Sequence, residues 1–216
     1  MPEFDDLPLT EADLAPDPLD LFINWFEEWG AAASEIAGEP AAMVLATAGA
    51  DGRPLARNVL LRGVDRAGFV WFTNYESRKG RNLAENPHAC LVFTWVGRRM
   101  RRQVIVTGPV ERISGDESDA YWATRPRRSQ LAAWASDQSR VIPDRSHLER
   151  RFAEAGERFP VEVRRPPHWG GFRLVPEAAE FWQGRPDRLH DRLVYSRQTD
   201  DDGSGNPRWR VERLAP

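Results

Sequence analysis

The run Phe69-Val70-Trp71-Phe72-Thr73-Asn74 follows the turn pair Ala67-Gly68 and is rich in aromatic and β-branched residues, which is typical of a β-strand. Four other short runs have the same character: residues 43–47, 55–64, 89–95 and 103–114. Turn residues such as Asp51-Gly52 separate them. The middle of the chain is therefore predicted to be an antiparallel sheet rich in hairpins.

Helical patterns lie before and after these strands. Asp17-Pro18 is a helix-start pair, and it is followed by apolar residues at helical spacing: Leu19, Phe22, Ile23, Phe26 and Trp29. Ser114 and Glu117 form a capping-box pattern for a helix through Tyr121 and Trp122, and a further helix is predicted from residue 144 to residue 159.

Strands return near the C-terminus. Two are predicted after Trp169, and a last hairpin joins residues 192–197 to residues 209–214 through the polar turn 200–206. No internal repeat or linker divides the chain. We therefore predict a mainly β fold with peripheral helices, an antiparallel barrel, with residues 1–18 as an N-terminal arm and residues 19–216 as one domain.

Composition narrows the class of protein. The chain has 216 residues and a formal net charge of −3, which argues against a general nucleic-acid binder even though arginines cluster locally, as in Arg98-Arg99-Met100-Arg101-Arg102. The lone cysteine, Cys90, can build neither an internal disulfide nor a thiolate metal site. No signal sequence or membrane-length apolar run is seen, so we expect a cytoplasmic protein with no membrane partner and no metal.

The densest functional pattern is Phe181-Trp182-Gln183-Gly184-Arg185-Pro186-Asp187-Arg188-Leu189-His190-Asp191-Arg192. Arginine offers forked donors to phosphate or carboxylate, and histidine exchanges protons near neutral pH. These residues favour a site for an anionic ligand that carries a ring. The alternative is a surface strand whose arginines pair with nearby acids.

A second candidate site surrounds the only lysine of the chain, Lys79, which stands against twenty-nine arginines. The predicted strand 69–74 leads through Ser77 into a helix start that carries Arg78 and Lys79. Ser77 can cap that helix, and its first amide groups together with the two cations suit an anion. This segment therefore predicts a phosphate-binding site.

Several of these segments together resemble the pyridoxamine 5′-phosphate oxidase family. The most specific are Tyr75-Glu76-Ser77-Arg78-Lys79-Gly80 and Arg188-Leu189-His190-Asp191-Arg192. The other matching segments are residues 57–61, 102–104, 125–130, 134–139, 169–173, 181–184 and 213–216, in the family's order. The likeness extends from about residue 17 to residue 216.

The resemblance implies an FMN-binding split β-barrel that forms a homodimer through a C-terminal segment, with FMN held between subunits. It also implies oxidation of pyridoxine or pyridoxamine 5′-phosphate at C4′ to pyridoxal 5′-phosphate, while molecular oxygen becomes hydrogen peroxide. The residues it places around FMN are Arg57, Arg62, Phe72, Thr73, Arg78, Lys79, Gln103, Gln138, Ser139, Trp182 and Arg192. Those it places around the small phosphorylated pyridine substrate are Arg62, Tyr121, Arg125, Ser129, Arg188 and His190, with Arg188 and His190 as the catalytic pair.

Three positions depart from the family's pattern. Arg62 stands where a lysine is usual, and Phe72 stands where a tyrosine is usual. In the N-terminal arm, where the family often has an arginine and a tyrosine that close over the substrate, this chain has residues 1–6, with Phe4 nearest to the tyrosine's position. These departures bear on the substrate more than on the cofactor.

Other functions therefore stay open. A related FMN-dependent oxidase could act on another small amine or alcohol in a specialised pathway. A split-barrel reductase that uses a deazaflavin would not be expected to retain Arg188-Leu189-His190. A non-catalytic flavin-binding or pyridoxal-phosphate-binding protein would differ only in its lack of activity.

Overall fold

The computed structural model describes residues 8–31, 39–97, 101–198 and 207–216. Its α-helices are α1 (Pro18–Ala31), α2 (Arg78–Glu85), α3 (Gly115–Thr124), α4 (Arg127–Ala135) and α5 (Arg145–Arg158). Its strands are β1 (Ala42–Ala48), β2 (Pro54–Leu60), β3 (Gly63–Asp65), β4 (Gly68–Asn74), β5 (His88–Val96), β6 (Arg101–Arg112), β7 (Trp169–Leu174), β8 (Ala178–Gln183), β9 (Asp191–Arg197) and β10 (Trp209–Arg213). Short 3₁₀ turns occur at Glu11–Asp13 and Pro186–Arg188.

The described strands form one antiparallel sheet that curls into a half-barrel. The main path runs β10-β9-β8-β6-β5-β1-β2, and β3, β4 and β7 join it through the pairing of β7 with β6. β6 pairs with β8 from Arg102 to Thr107 and then with β7 from Val110 to Arg112. Gly108 lies at the change of partner, where an added Cβ would come 2.0 Å from the carbonyl oxygen of Val175. Only glycine allows the β7–β8 connection to cross β6 this closely.

Aromatic side chains of α1 fill the concave side of the half-barrel. The ring of Phe22 lies 4.7 Å from those of Phe69 and Phe93, and that of Trp25 lies 5.1 Å from Phe181. Phe22, Phe93 and Phe181 are fully buried. Edge-to-face aromatic contacts of this kind add to the free energy gained from burial. The predicted apolar stripe of α1 is thus core, as expected.

A second, smaller core ties the helices to β7. It contains Trp122, Leu131, Phe159 and Trp169, and Trp122 Nε1 donates to the carbonyl of Val163 at 2.7 Å. This core fixes α3 and α4 beside the end of β4, where the candidate site lies.

Most of the predicted elements are confirmed. Ser114 and Glu117 form the expected capping box at the start of α3, and Asp144 caps α5. The predicted strand over residues 55–64 is wrong as one element, because it divides into β2 and β3. The amide of Leu61 donates to Ala41, whereas that of Arg62 donates to Val70, so the chain changes strand partner between them.

The helix α4, which follows Pro126, was not predicted. Residues 1–7, 32–38, 98–100 and 199–206 lie outside the described residues, and with them Phe4, most of the arginine run that begins at Arg98 and the turn of the last hairpin. In the described part of the chain, no helix is long and apolar enough to cross a membrane.

Candidate active site

The strand β4 delivers the chain into a compact turn that starts α2. Ser77 caps this helix as predicted: its Oγ accepts a hydrogen bond from the amide of Gly80 at 3.3 Å. An added Cβ on Gly80 would lie 2.0 Å from the carbonyl oxygen of Tyr75. The turn is therefore tight, and it holds Arg78 and Lys79 at a helix N-terminus, where an anion is favoured.

Lys79 is buried, with 9% of its surface exposed, among neutral oxygen atoms. Its Nζ donates to Thr73 Oγ1 at 3.1 Å, to Ser77 Oγ at 3.4 Å and to Gln138 Oε1 at 3.0 Å. Burial and, less strongly, the positive charge of Arg57 lower the pKa of Lys79 from 10.5 to about 8. Its environment thus disfavours the charge that it carries.

Arg57 adds a second, partly buried cation. Its Nη1 donates to the carbonyl of Leu45 at 2.9 Å and to Thr47 Oγ1 at 2.8 Å, and burial followed by repulsion from Arg78 lowers its pKa. Within the described ranges, Arg57, Arg78 and Lys79 form no ion pair. A buried positive charge without a partner is costly, so this corner is suited to receive an anion.

A cavity of about 810 Å³ opens beside this corner. Phe72, Thr73 and Gln138 line it together with Arg125 and Ser129, so predicted cofactor and substrate residues share one cleft. This volume is within the range of small-molecule sites.

The far part of the cleft centres on Arg125. Its Nη2 donates to the carbonyl of Ser129 at 3.0 Å, and its guanidinium lies 4.6 Å from the ring centre of Trp169. Burial lowers the pKa of Arg125; Tyr121 opposes this shift, and nearby Arg62 adds to it. The Nε of Arg125 is buried without a hydrogen-bond partner among the described residues. A buried donor of this kind is what an anion site presents before its ligand arrives.

Phe72 forms part of an aromatic wall in this cleft. Its ring stacks on Tyr121 with centres 3.9 Å apart and on Trp169 with centres 5.5 Å apart. The wall positions Tyr121 beside Arg125 and gives the cleft a flat apolar face, which suits a ring-shaped ligand.

Another set of predicted residues lies across the main sheet. Gln103 on β6 is opposite Trp182 on β8, and Trp182 is opposite Arg192 on β9. Directly opposed residues share one face of a sheet, so the three form a row. The ring of His190 lies 4.7 Å from that of Trp182. The residues around the cleft and the residues of this row therefore form two separate groups.

In the segment 181–192, two arginines pair with nearby acids, as the alternative interpretation of this segment expects. Arg192 makes a forked pair with Glu180, with Nε–Oε1 at 2.8 Å and Nη2–Oε2 at 3.2 Å, and it donates through Nη1 to the carbonyl of Ala215. Arg185 lies 3.5 Å from Asp191. Arg192 therefore carries little free charge, although its position is well fixed.

The loop between β8 and β9 holds an unusual backbone. Its residues Asp187 and Arg188 have positive φ, at 56° and 62°. Among the other non-glycine residues that the structure describes, Ser139, outside this loop, has positive φ, at 71°. Such conformations cost free energy, and they concentrate at functional sites. The same loop orients His190, whose Nδ1 accepts the backbone N–H of Arg185 at 3.1 Å. A proton on the neutral ring is then left at Nε2.

The structure thus brings many predicted residues together and adds others. Glu180, which holds Arg192, and Trp169, which packs on Phe72 and Arg125, were not among the predicted site residues, and neither were the cavity residues Arg128 and Arg145. Glu180 follows the alternation of β8, which offered a signal for its pairing across the sheet. Arg128 stands in the matching segment 125–130, but its place in the cavity depends on α4, which was not predicted.

Two family models match most of the chain. A family model described as pyridoxamine 5′-phosphate oxidase matches residues 30–159. A second model, the C-terminal dimerisation region of pyridoxine 5′-phosphate oxidase, matches residues 169–216. Together they cover the cleft and the row of Trp182, His190 and Arg192.

Individual relatives and solved structures are also similar to this chain over most of its length. Proteins named pyridoxine/pyridoxamine 5′-phosphate oxidase from Burkholderia vietnamiensis and Cupriavidus necator are 55% and 54% identical over 208 residues, which is 96% of this chain and 93% of each relative. PhzG from Burkholderia lata, solved with tetrahydrophenazine-1-carboxylic acid, has a TM-score of 0.85 at 32% identity and 99% coverage of both chains. A related FMN-binding protein from Nostoc punctiforme shares the fold, with a TM-score of 0.69 at 18% identity over 94% of this chain and all of that one. The predicted fold class is confirmed.

Proposed function

The chain belongs to the pyridoxamine 5′-phosphate oxidase family, and from this premise we propose that it oxidises pyridoxine or pyridoxamine 5′-phosphate to pyridoxal 5′-phosphate with FMN. The C4′ alcohol or amine becomes an aldehyde, molecular oxygen is reduced to hydrogen peroxide, and the amine substrate releases ammonia after hydrolysis. A reducing cytoplasm is the expected location.

The observation that carries this proposal is the cleft with unpaired cationic groups at both ends. At one end Lys79 bonds Thr73 and Gln138 of the cleft wall, with Arg57 and Arg78 close by. Arg125 lines the other end. Two phosphate-bearing molecules, a cofactor and a substrate, need two such ends. The aromatic wall between them suits flat rings.

The donor set fits FMN at the first end. Arg78 and Lys79 would hold its phosphate with the amide groups of α2, while Arg57, Thr73 and Gln138 would line its path. When bound, FMN supplies the hydride acceptor, so the chain needs no metal or nucleophile of its own. Arg62 and Phe72 would lie beside it.

At the other end, Tyr121, Arg125 and Ser129 would bind the substrate phosphate. Holding the phosphate fixes where the pyridine ring lies, and this positioning is the main demand of the reaction. Arg188 and His190 would orient the ring at C4′. His190 offers its Nε2–H there, because its Nδ1 is used by the backbone of Arg185.

A homodimer would unite the two groups of residues. Trp182, Arg188, His190 and Arg192 all lie within residues 169–216, the part that matches the dimerisation region. We infer that the second copy brings this part, with Gln103 of the same row, to the cleft of the first, whereas Ser139 follows Gln138, which lines the cleft of its own subunit. Neither subunit would then be complete alone.

A second candidate is a related oxidase that acts on another anionic ring compound. PhzG, similar over the whole chain, was solved with a tricyclic carboxylic acid. Arg62 and Phe72 are this chain's departures at the cleft, and they are the residues that would accommodate a different ring. The higher identity to the relatives named phosphate oxidases favours the first proposal.

The test is anaerobic addition of pyridoxine 5′-phosphate to FMN-loaded protein while the absorbance of oxidised flavin is followed. Bleaching, recovery in air and formation of pyridoxal 5′-phosphate support the proposal. Yellow protein that bleaches with neither phosphorylated substrate refutes it, and bleaching by a ring carboxylate would favour the second candidate. Protein that binds no FMN would refute both.

A further inference from the structure

The cleft extends outward into a groove between α4 and α5. On the α4 side its wall consists of the small residues Ala132, Ala133 and Ser136, and on the α5 side it includes Leu148 and Phe152. The small side chains of α4 leave the volume open. None of these residues belongs to the sets proposed to hold FMN or the substrate phosphate.

Two arginines stand where this groove meets solvent. Arg128 is exposed, and its guanidinium lies 5.3 Å from the ring centre of Phe152, which limits where the charge can move. Arg128 forms no ion pair with another described residue. The side chain of Arg145 is 83% exposed, and its Nε contacts Glu149 Oε1 at 3.1 Å.

The charged residues along the cleft wall are Arg125, Arg128, Arg145 and Glu149, so positive charge exceeds negative. Burial increases inward from Arg128 to Ser129, its neighbour in sequence, and to the half-buried Arg125, which bonds the carbonyl of Ser129. Positive charges therefore lead from the surface to the buried, partly unpaired donors of Arg125.

We propose that Arg128 and Arg145 form an outer subsite that captures phosphate monoester dianions before they reach Arg125 and Ser129. That the monoester is the substrate rests on the proposed function. The placement of the subsite rests only on the cavity and its charges. Its effect is electrostatic attraction at the mouth of the cleft, so it acts on capture and not on the chemical step.

The experiment compares Arg128→Ala with Arg150→Ala in the FMN-loaded dimer. Arg150 is an exposed residue of α5 that does not line the cavity, so it controls for the loss of one positive charge. For a dianion about 8 Å from the lost charge in water, kcat/KM for pyridoxine 5′-phosphate should fall roughly fourfold near 0.01 M salt, with KM carrying the loss. Near 0.5 M salt the difference should almost vanish, because screening shortens the range of the attraction.

Three results would overturn the subsite: an unchanged kcat/KM for Arg128→Ala at low salt, an equal loss for Arg150→Ala, or an equal loss with unphosphorylated pyridoxine. Binding of inorganic phosphate, followed by tryptophan fluorescence, gives a second readout that needs no turnover. If the wild type fails to oxidise pyridoxine 5′-phosphate, the proposed function fails. A roughly fourfold weaker binding of phosphate by Arg128→Ala at low salt would then still support the subsite, and equal binding would refute it.

Discussion

Lys79 should make the affinity for FMN depend on pH. Its three hydrogen-bond acceptors are neutral, and burial together with Arg57 lowers its pKa from 10.5 to about 8. Since one pKa unit corresponds to about 1.4 kcal/mol, keeping the proton on Lys79 costs the ligand-free fold about 3 kcal/mol at neutral pH. A phosphate dianion beside the ammonium would offset this cost.

The direction of the effect follows from proton counting. Between about pH 8 and pH 10.5 the unfolded chain binds more protons at Lys79 than the ligand-free fold does. The cost that Lys79 imposes on the free energy of unfolding is therefore present in full below about pH 8 and is relieved as the pH rises through this window. FMN binding has the opposite sign. A bound phosphate raises the pKa of Lys79, so binding above pH 8 takes up a proton, and affinity falls by at most about tenfold per pH unit.

Fluorescence titration of cofactor-free protein with FMN from pH 7 to pH 9.5 measures this dependence. The dissociation constant should be level up to about pH 7.5 and then rise, since the phosphate is already dianionic at these pH values. Lys79→Met should bind FMN more weakly at pH 7 but lose the rise, whereas Arg78→Ala should bind weakly and keep it. A level wild-type curve, or an unchanged slope in Lys79→Met, would refute the assignment of the titration to Lys79.

Other substitutions test the fold and the loop. Gly80→Ala should lower the free energy of unfolding by more than about 2 kcal/mol, because its Cβ would meet the carbonyl of Tyr75, while Gly156→Ala, with open space around it in α5, should raise it by about 1 kcal/mol in urea denaturation. Ser114→Ala removes the capping box of α3 and should cost about 1 kcal/mol in the same assay. Arg188→Gly keeps the left-handed backbone and deletes the side chain, so turnover should fall with FMN still bound and with no loss in melting temperature; a lower melting temperature would make Arg188 structural.

The sheet was predictable because each strand carries its own local signal and is bounded by turn residues. The division between β2 and β3 was not, since it depends on Leu61 and Arg62 bonding to different neighbouring strands. The helix α4 was missed for a related reason. Only Leu131 and Ala135 are buried in its nine residues, so no apolar stripe marks it.

In the candidate site, too, local features could be predicted from the sequence and long-range ones could not. Ser77 and Lys79 could be placed from the sequence because a cap and a lone lysine are local features. The neutral surroundings of Lys79 could not be predicted, because one of its hydrogen-bond acceptors, Gln138, lies fifty-nine positions away in the chain. Arg128 and Arg145 could be recognised as cavity residues only once α4 and α5 lay side by side.

The charge distribution suggests how the two groups of site residues divide their work. Arg57, Arg78 and Lys79 have no acidic partner among the described residues, so their attraction for an anion is undiminished. Arg192 has most of its charge balanced by Glu180, and His190 has one ring nitrogen bound to the backbone, so both are better placed to orient a ring than to attract a phosphate. Because the orienting residues lie in the region that matches the dimerisation model, a variant that cannot dimerise should keep measurable affinity for phosphate but lose turnover. At each site, the affinity for phosphate would then depend on one subunit and catalysis would also require the other.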